Sequence, residues 1–194
     1  GKLGAGKSVP PAVGASSRTD GMHREPTMLV AVLDGIVSEK RTQFRENINI
    51  EILGFFAEGY GLYSKIAPAD LSRVISNLVN NSVEAILGKG KVSISVGRVN
   101  SFAVITIEDN GQGIPPFVLA KLGERGVTHG KEGTHSGSGL GVHHAREIME
   151  FSGGKITISS IEGQGTTIKL ALPLCEAPSW FLEKLTIRPD QVLV

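Results

Sequence analysis

Asp109-Asn-Gly-Gln-Gly-Ile-Pro115 and, two dozen residues later, Gly137-Ser-Gly-Leu-Gly141 decide how this chain is read. The first run closes Phe102-Ala-Val-Ile-Thr-Ile-Glu108, whose alternation of apolar and polar residues predicts a half-buried strand. The second opens an apolar helical pattern from Leu140 to Phe151. An acid therefore sits at the end of a strand, and a glycine loop sits at the start of a helix. A carboxylate can accept a hydrogen bond from a nucleobase, and the N–H groups of a helix start can hold phosphates. Together they predict a nucleotide site.

Working outward, Asp70 is expected to cap a helix from Leu71 to Leu87 that stops at Gly88. Leu71, Val74, Ile75, Leu78, Val79, Val83 and Ile86 form its apolar face, while Asn77, Asn81 and Glu84 fall on one polar stripe. That stripe reads as a solvated face or as a functional one. Asparagine is a poor helix former, so Asn77, Asn80 and Asn81 together weaken the helix that carries them. A hairpin follows, Lys91–Arg98 and Phe102–Glu108, then a short helix from Pro115 to Leu122. The span 123–136 lacks apolar period and reads as a long loop of the lid kind. A last hairpin pairs Lys155–Ile161 with Thr166–Leu172. Upstream, residues 47–55 alternate as a strand, and Tyr60–Ile66 is a second, shorter one. The fold class expected is α/β: a two-layer sandwich, its mixed and mostly antiparallel sheet covered by helices on one face.

Residues 1–26 read as a linker or remnant. Gly1-Lys-Leu-Gly-Ala-Gly-Lys7-Ser8 matches the phosphate-loop pattern letter for letter, but no strand precedes it and Pro10-Pro11 blocks a helix, so the linker reading stands. Thr27–Phe44 carries a helical stripe, Met28, Leu29, Val32, Leu33, Ile36 and Val37, expected to pack outside the chain or along the domain edge. With 194 residues and 40% apolar content, one domain with appendages is expected. A net charge of +1 gives no argument for nucleic acid or a membrane surface. A single cysteine, Cys175, excludes an internal disulfide, and a cytoplasmic location is expected, with membrane attachment of the full-length protein left open.

Four motifs in order give the chain a family resemblance. Asn77-Leu-Val-Asn-Asn81-Ser-Val-Glu84 resembles the asparagine box of the ATP-binding domain shared by sensor histidine kinases, DNA gyrase and MutL. Asp109-x-Gly111-x-Gly113 resembles its first glycine box, Gly137–Gly141 the second, and Gly163-x-Gly165-Thr166 the last. The resemblance implies the Bergerat-type ATP-binding fold over residues 47–174, with 27–46 as the end of a dimerisation helix and 175–194 as an extension toward a further domain. It implies that Asp109 accepts the adenine amine and that Gly111, Gly113 and Ile114 line the base. Thr166 would reach the adenine side through water. Asn81 would hold Mg²⁺, and Gly137, Ser138, Gly139, Leu140 and Gly141 would wrap the phosphates of ATP. Lys131, and Arg125 with it, would meet the γ-phosphate from the lid. Glu84 stands where the family often has a basic residue; as an acid it would act through water on the metal and cannot pair a phosphate directly.

Position 77 separates the branches. Gyrase-like and MutL-like members carry a glutamate there that activates water, whereas an amide takes no proton at neutral pH. Asn77 therefore points to the histidine kinase branch, whose neutral imidazole acceptor needs little deprotonation. The expected activity is a protein-histidine kinase whose catalytic residues are Asn77 and Lys131, with Mg²⁺ and ATP as cofactors. Two alternatives stay open: a nucleotide-binding module without transfer (a pseudokinase), and a gyrase- or MutL-type ATPase. No His-Glu/Asp-x-x-x-Pro box occurs, since His23-Arg-Glu-Pro26 has the wrong spacing, so a catalytic fragment without its phosphoacceptor is expected. The partners implied are its own dimerisation and histidine-phosphotransfer domain, a response regulator receiver domain, and a second copy in the full-length homodimer. No nucleic acid or membrane contact is expected of this piece. Leu122-Gly-Glu-Arg125 replaces the family's phenylalanine motif in the lid, and His143 and His144 read as ordinary helix residues.

Overall fold

The computed structural model describes residues 25–46, 49–120, 122 and 140–181. The element order is β1 (Thr27–Met28), α1 (Leu29–Gln43), β2 (Ile50–Phe55), β3 (Tyr63–Ser64), α2 (Pro68–Glu84), β4 (Gly90–Val99), β5 (Phe102–Asp109), α3 (Pro116–Leu119), α4 (Leu140–Phe151), β6 (Lys155–Ile161) and β7 (Gly165–Pro173). Five strands form one sheet in the order β2-β4-β5-β7-β6, and β1 pairs with β3 apart from it. Among the described strands only β2 and β4 run parallel; α2 lies in the crossover between them, as a parallel pair requires. The other three pairings are antiparallel. The expected mixed, mostly antiparallel sheet is the one found.

Alternation decides which face of the sheet is covered. On β5, Ala103, Ile105 and Ile107 are buried; on β4, Val92, Ile94 and Val96; on β7, Ile168, Leu170 and Leu172. These meet Leu71, Val74, Ile75, Leu78, Val79 and Val83 of α2, with Ala145, Ile148 and Met149 of α4, in one cluster. Each Val, Leu, Ile and Met side chain among them contributes about 1.5–3 kcal/mol by leaving water. The intervening strand positions, Ser93, Ser95, Thr106, Thr157 and Ser159, carry the polar face.

Three local expectations change. Ala67 is the N-cap of α2 and Pro68 its first residue, with Asp70 in the first turn; proline suits that position because its missing N–H has no partner there anyway. The helix ends at Glu84, with Ala85 as its C-cap, rather than at Leu87, and Ile86 turns back to bond the Val83 carbonyl. The stripe on α1 goes beyond the domain edge: Leu29, Leu33, Ile36 and Val37 are buried in the same core as the sheet. Thr27 Oγ1 also donates to the Ile66 carbonyl at 2.6 Å, tying β1 to the segment before α2. The glycine-rich start and the residues after 181 lie outside the described residues.

Candidate functional site

At the end of β5 the backbone turns sharply, and every turn is tied. Asp109 Oδ1 accepts from the backbone N–H of Gly111 at 3.0 Å and of Thr166 at 3.2 Å. Asp109 and Thr166 are register partners across β5 and β7, which is why one carboxylate oxygen reaches both amides. The Gln112 N–H donates to the Ala85 carbonyl at the end of α2, and the Gln112 carbonyl accepts from Gly163 in the β6–β7 turn. The Ile114 N–H donates to Ser160 Oγ at 2.8 Å. Asn110 Oδ1 accepts from Lys91 N–H, closing the loop onto β4.

The glycines make this possible. Gly113 has φ +66°, and a Cβ there would lie 2.1 Å from the Ile161 carbonyl oxygen. Gly165 has φ +116°, and a Cβ there would lie 2.0 Å from the Asp109 carbonyl oxygen. Neither backbone conformation nor space admits a side chain. A Cβ on Gly111 would come within 2.7 Å of the Ala85 carbonyl oxygen. The close approach these glycines permit is thus to neighbouring backbone, which presses the loop against α2 and the β6–β7 turn.

The second half of the site runs along α2. Gly141, near the start of α4, faces Asn77 and Asn81: a Cβ added there would meet Asn81 Nδ2 at 3.8 Å and Asn77 Cβ at 3.9 Å. A turn further along α4, His144 Nε2 stands 3.4 Å from Arg73 Nη1. Arginine only donates, so this contact is a hydrogen bond in the tautomer with the proton on Nδ1, the nitrogen that lies 3.7 Å from Glu147. His143 also faces Glu147, at 3.7 Å. Both histidines are thus engaged on the α4 surface. Ordered from the Asp109 loop, the α2 stripe reads Ala85, Glu84, Asn81, Asn77, Arg73. Asn77 is half-buried, whereas Asn81 and Glu84 are exposed. An amide oxygen with a carboxylate one turn on suits a hard cation that brings its remaining oxygens on phosphates. Among the described residues no three His, Cys, Asp or Glu side chains cluster to hold a metal by themselves.

The structure brings together Asp109, Gly111, Gly113, Ile114 and Thr166 at one end, and Asn77, Asn81, Glu84 and Gly141 at the other. Lys131, Arg125, Gly137, Ser138 and Gly139 lie outside the described residues, as does the Leu140 side chain. Ser160 is a residue that sequence reasoning missed. It falls in phase with the inward-facing Ile156 and Ile158, and a polar residue at a core-facing position was the available signal.

The sequence pattern of the family described as histidine kinase-, DNA gyrase B-, and HSP90-like ATPase matches residues 66–176. The chain belongs to this family. Within it, the sensor protein kinase WalK of Staphylococcus haemolyticus is 34% identical over 119 residues, 59% of this chain and 19% of that protein. Sporulation kinase C of Bacillus subtilis is 32% identical over 126 residues, 65% of this chain and 28% of that protein. The chain thus spans less than a third of these curated relatives. The catalytic domain of histidine kinase ThkA shares the ATPase-family fold, with TM-score 0.67, 24% identity, and coverage of 78% of this chain and 96% of that one. So does full-length ShkA in complex with AMPPNP, with TM-score 0.67, 19% identity, and coverage of 80% and 32%. No helix among the described residues is long and apolar enough to cross a membrane.

Proposed function

We propose that this ATPase-family domain binds Mg-ATP between α2, α4 and the Asp109 loop and passes the γ-phosphoryl group to a histidine on a dimerisation domain. The observation that carries the reading is the anchoring of Asp109. Two backbone amides occupy Oδ1, so the carboxylate is fixed as an acceptor for the purine edge. An adenine amine satisfies it, whereas the guanine carbonyl would meet it lone pair to lone pair. Gly111, Gly113 and Ile114 would shape the base wall, and Gly137 to Gly141 would hold the phosphates at the start of α4. Asn81 would hold Mg²⁺, whose charge would offset that of the phosphates. Lys131 would meet the γ-phosphate from the lid.

Asn77 supports transfer to histidine over hydrolysis. Its amide cannot accept a proton from water, but an imidazole nitrogen attacks phosphorus with its own lone pair. A P–N bond forms, the bond from γ-phosphorus to the bridging oxygen breaks, and ADP leaves. The residues of this chain then contribute position and charge rather than a base. In the whole protein the partners would be the dimerisation domain, a second copy and a response regulator receiver domain, and the domain would work in the cytoplasm.

Incubating the chain with labelled Mg-ATP and a separate histidine-bearing dimerisation domain tests this. Acid-labile label on the imidazole is expected. Tight binding without transfer would instead support a nucleotide-responsive scaffold, the reading that Glu84 favours. Steady-state phosphate release would restore the ATPase alternative.

A further inference from the structure

The Ser160 hydroxyl touches three groups behind the base end of the site, and counting its hydrogens settles the direction of each contact. A serine hydroxyl has one proton and two acceptor lone pairs. The Ile114 N–H donates to it at 2.8 Å and takes one lone pair. The Gly165 carbonyl, 2.9 Å away, only accepts, so it takes the serine proton. The third contact, with Thr166 Oγ1 at 2.9 Å, must then run from the threonine hydroxyl into the remaining serine lone pair. Thr166 is left with lone pairs and no proton to offer. Its hydroxyl is held this way in a residue that is only 7% exposed, while the Thr166 N–H is held by Asp109 Oδ1.

We infer that Ser160 is a positioning residue for base selection: by taking the Thr166 proton it makes Thr166 an acceptor, so that Asp109 and Thr166 present acceptors alone to the purine. This rests on the reading that the purine of ATP lies against Asp109. An exocyclic amine carries two protons and suits two acceptors, whereas a guanine carbonyl suits neither. A water donating one proton to Thr166 also has its second proton for the ring nitrogen beside the amine, which is bare in adenine and protonated in guanine. Asp109 sets the preference, and Ser160 prevents Thr166 from relaxing it.

The test measures dissociation constants for Mg-ATP and Mg-GTP by calorimetry on the parent chain and on Ser160→Ala, Ser160→Thr and Thr166→Val. In Ser160→Ala the threonine proton is released and can turn toward a guanine carbonyl, so the ATP-over-GTP ratio should fall by about tenfold, the worth of one ordinary hydrogen bond. Ser160→Thr keeps the hydroxyl and should keep the ratio. If Ser160→Ala weakens both nucleotides by one factor, Ser160 is merely structural and the inference fails. Should that variant not fold, Thr166→Val decides, because it leaves both backbone bonds of Ser160 in place: a fallen ratio supports the inference and an unchanged one overturns it. A parent chain that binds ATP without preference over GTP would overturn the base contact at Asp109 itself, a result distinct from loss of the Ser160 effect alone.

Discussion

The two ends of the site are built from different materials. At the base end, backbone amides and carbonyls of β5, β7 and two tight turns are bonded to one another, to the Asp109 carboxylate and to the Ser160 hydroxyl before any ligand arrives. At the phosphate end they are side chains on one face of α2, with Asn81 and Glu84 open to water. A pre-bonded wall loses little freedom on binding and can discriminate, whereas exposed side chains lose rotamer freedom and gain their energy only when charge arrives. Selectivity should therefore reside at the Asp109 end and metal dependence at the α2 end.

Glycine substitutions break this contrast most directly. Gly165→Ala places a Cβ 2.0 Å from the Asp109 carbonyl oxygen at φ +116°, so unfolding in urea should show a loss of about 3 kcal/mol or more. Gly141→Ala puts its Cβ at ordinary contact distance from Asn77 and Asn81, and stability should stay within about 1 kcal/mol of the parent. Equal losses at the two positions would mean that the two ends are equally rigid.

Next in size is Asp109→Asn. The amide oxygen can keep both backbone bonds, so the fold should survive, but the remaining –NH₂ would face the adenine amine donor to donor. ATP affinity should drop about 100-fold or more in an equilibrium titration, as for a lost hydrogen bond to a charged group left unpaired. Unchanged affinity would remove the base from this wall.

What the sequence made legible divides along the same line. The β5 alternation, the apolar face of α2 and the last hairpin are local periodicities, and each stands where the pattern put it. Asp109 and the α2 stripe were legible for the same reason, since their residue types are unusual for their elements. What escaped was pairing at a distance. Nothing in Leu29–Val37 tells that its partners are α2 and β2, nor in Tyr63–Ser64 that it pairs with Thr27–Met28. Ser160 escaped because a polar residue at a core-facing position does not reveal its partners, which are Ile114 after β5 and the adjacent Gly165 and Thr166 on β7.

A smaller effect is expected at the open end. Asn81 is exposed, and alanine is the better helix former, so Asn81→Ala should leave the fold intact. Its affinity for ATP should fall about tenfold in Mg²⁺, the worth of one ligand among several, and should match the parent in EDTA. Persistence of the full Mg²⁺ effect would place the metal elsewhere on the domain.

The smallest effect is a control on the separation itself. Tyr63 lies on β3, bridged to Cys175 just beyond β7 and so about 30 Å along the chain from Thr166 at the rise of a strand. Its hydroxyl is buried and, among the described residues, has no hydrogen-bond partner. Burial, with a smaller contribution from Tyr60, pushes the phenol above its ordinary range. Removing an unsatisfied buried hydroxyl relieves its desolvation, so Tyr63→Phe should raise stability by up to about 1 kcal/mol. The pH dependence has a definite sign. A phenol whose folded-state pKa is raised favours the fold below its unfolded value, near 10, and that contribution is lost as pH climbs toward the folded value. Thermal melts should therefore show the parent losing stability above about pH 10 more steeply than the phenylalanine variant. Nucleotide affinity should not move, because neither the Asp109 wall nor the α2 stripe touches this end of the sheet. An altered ATP dissociation constant in Tyr63→Phe would show that the packing around β3 reaches the site through β7, and the two ends would then have to be treated as one.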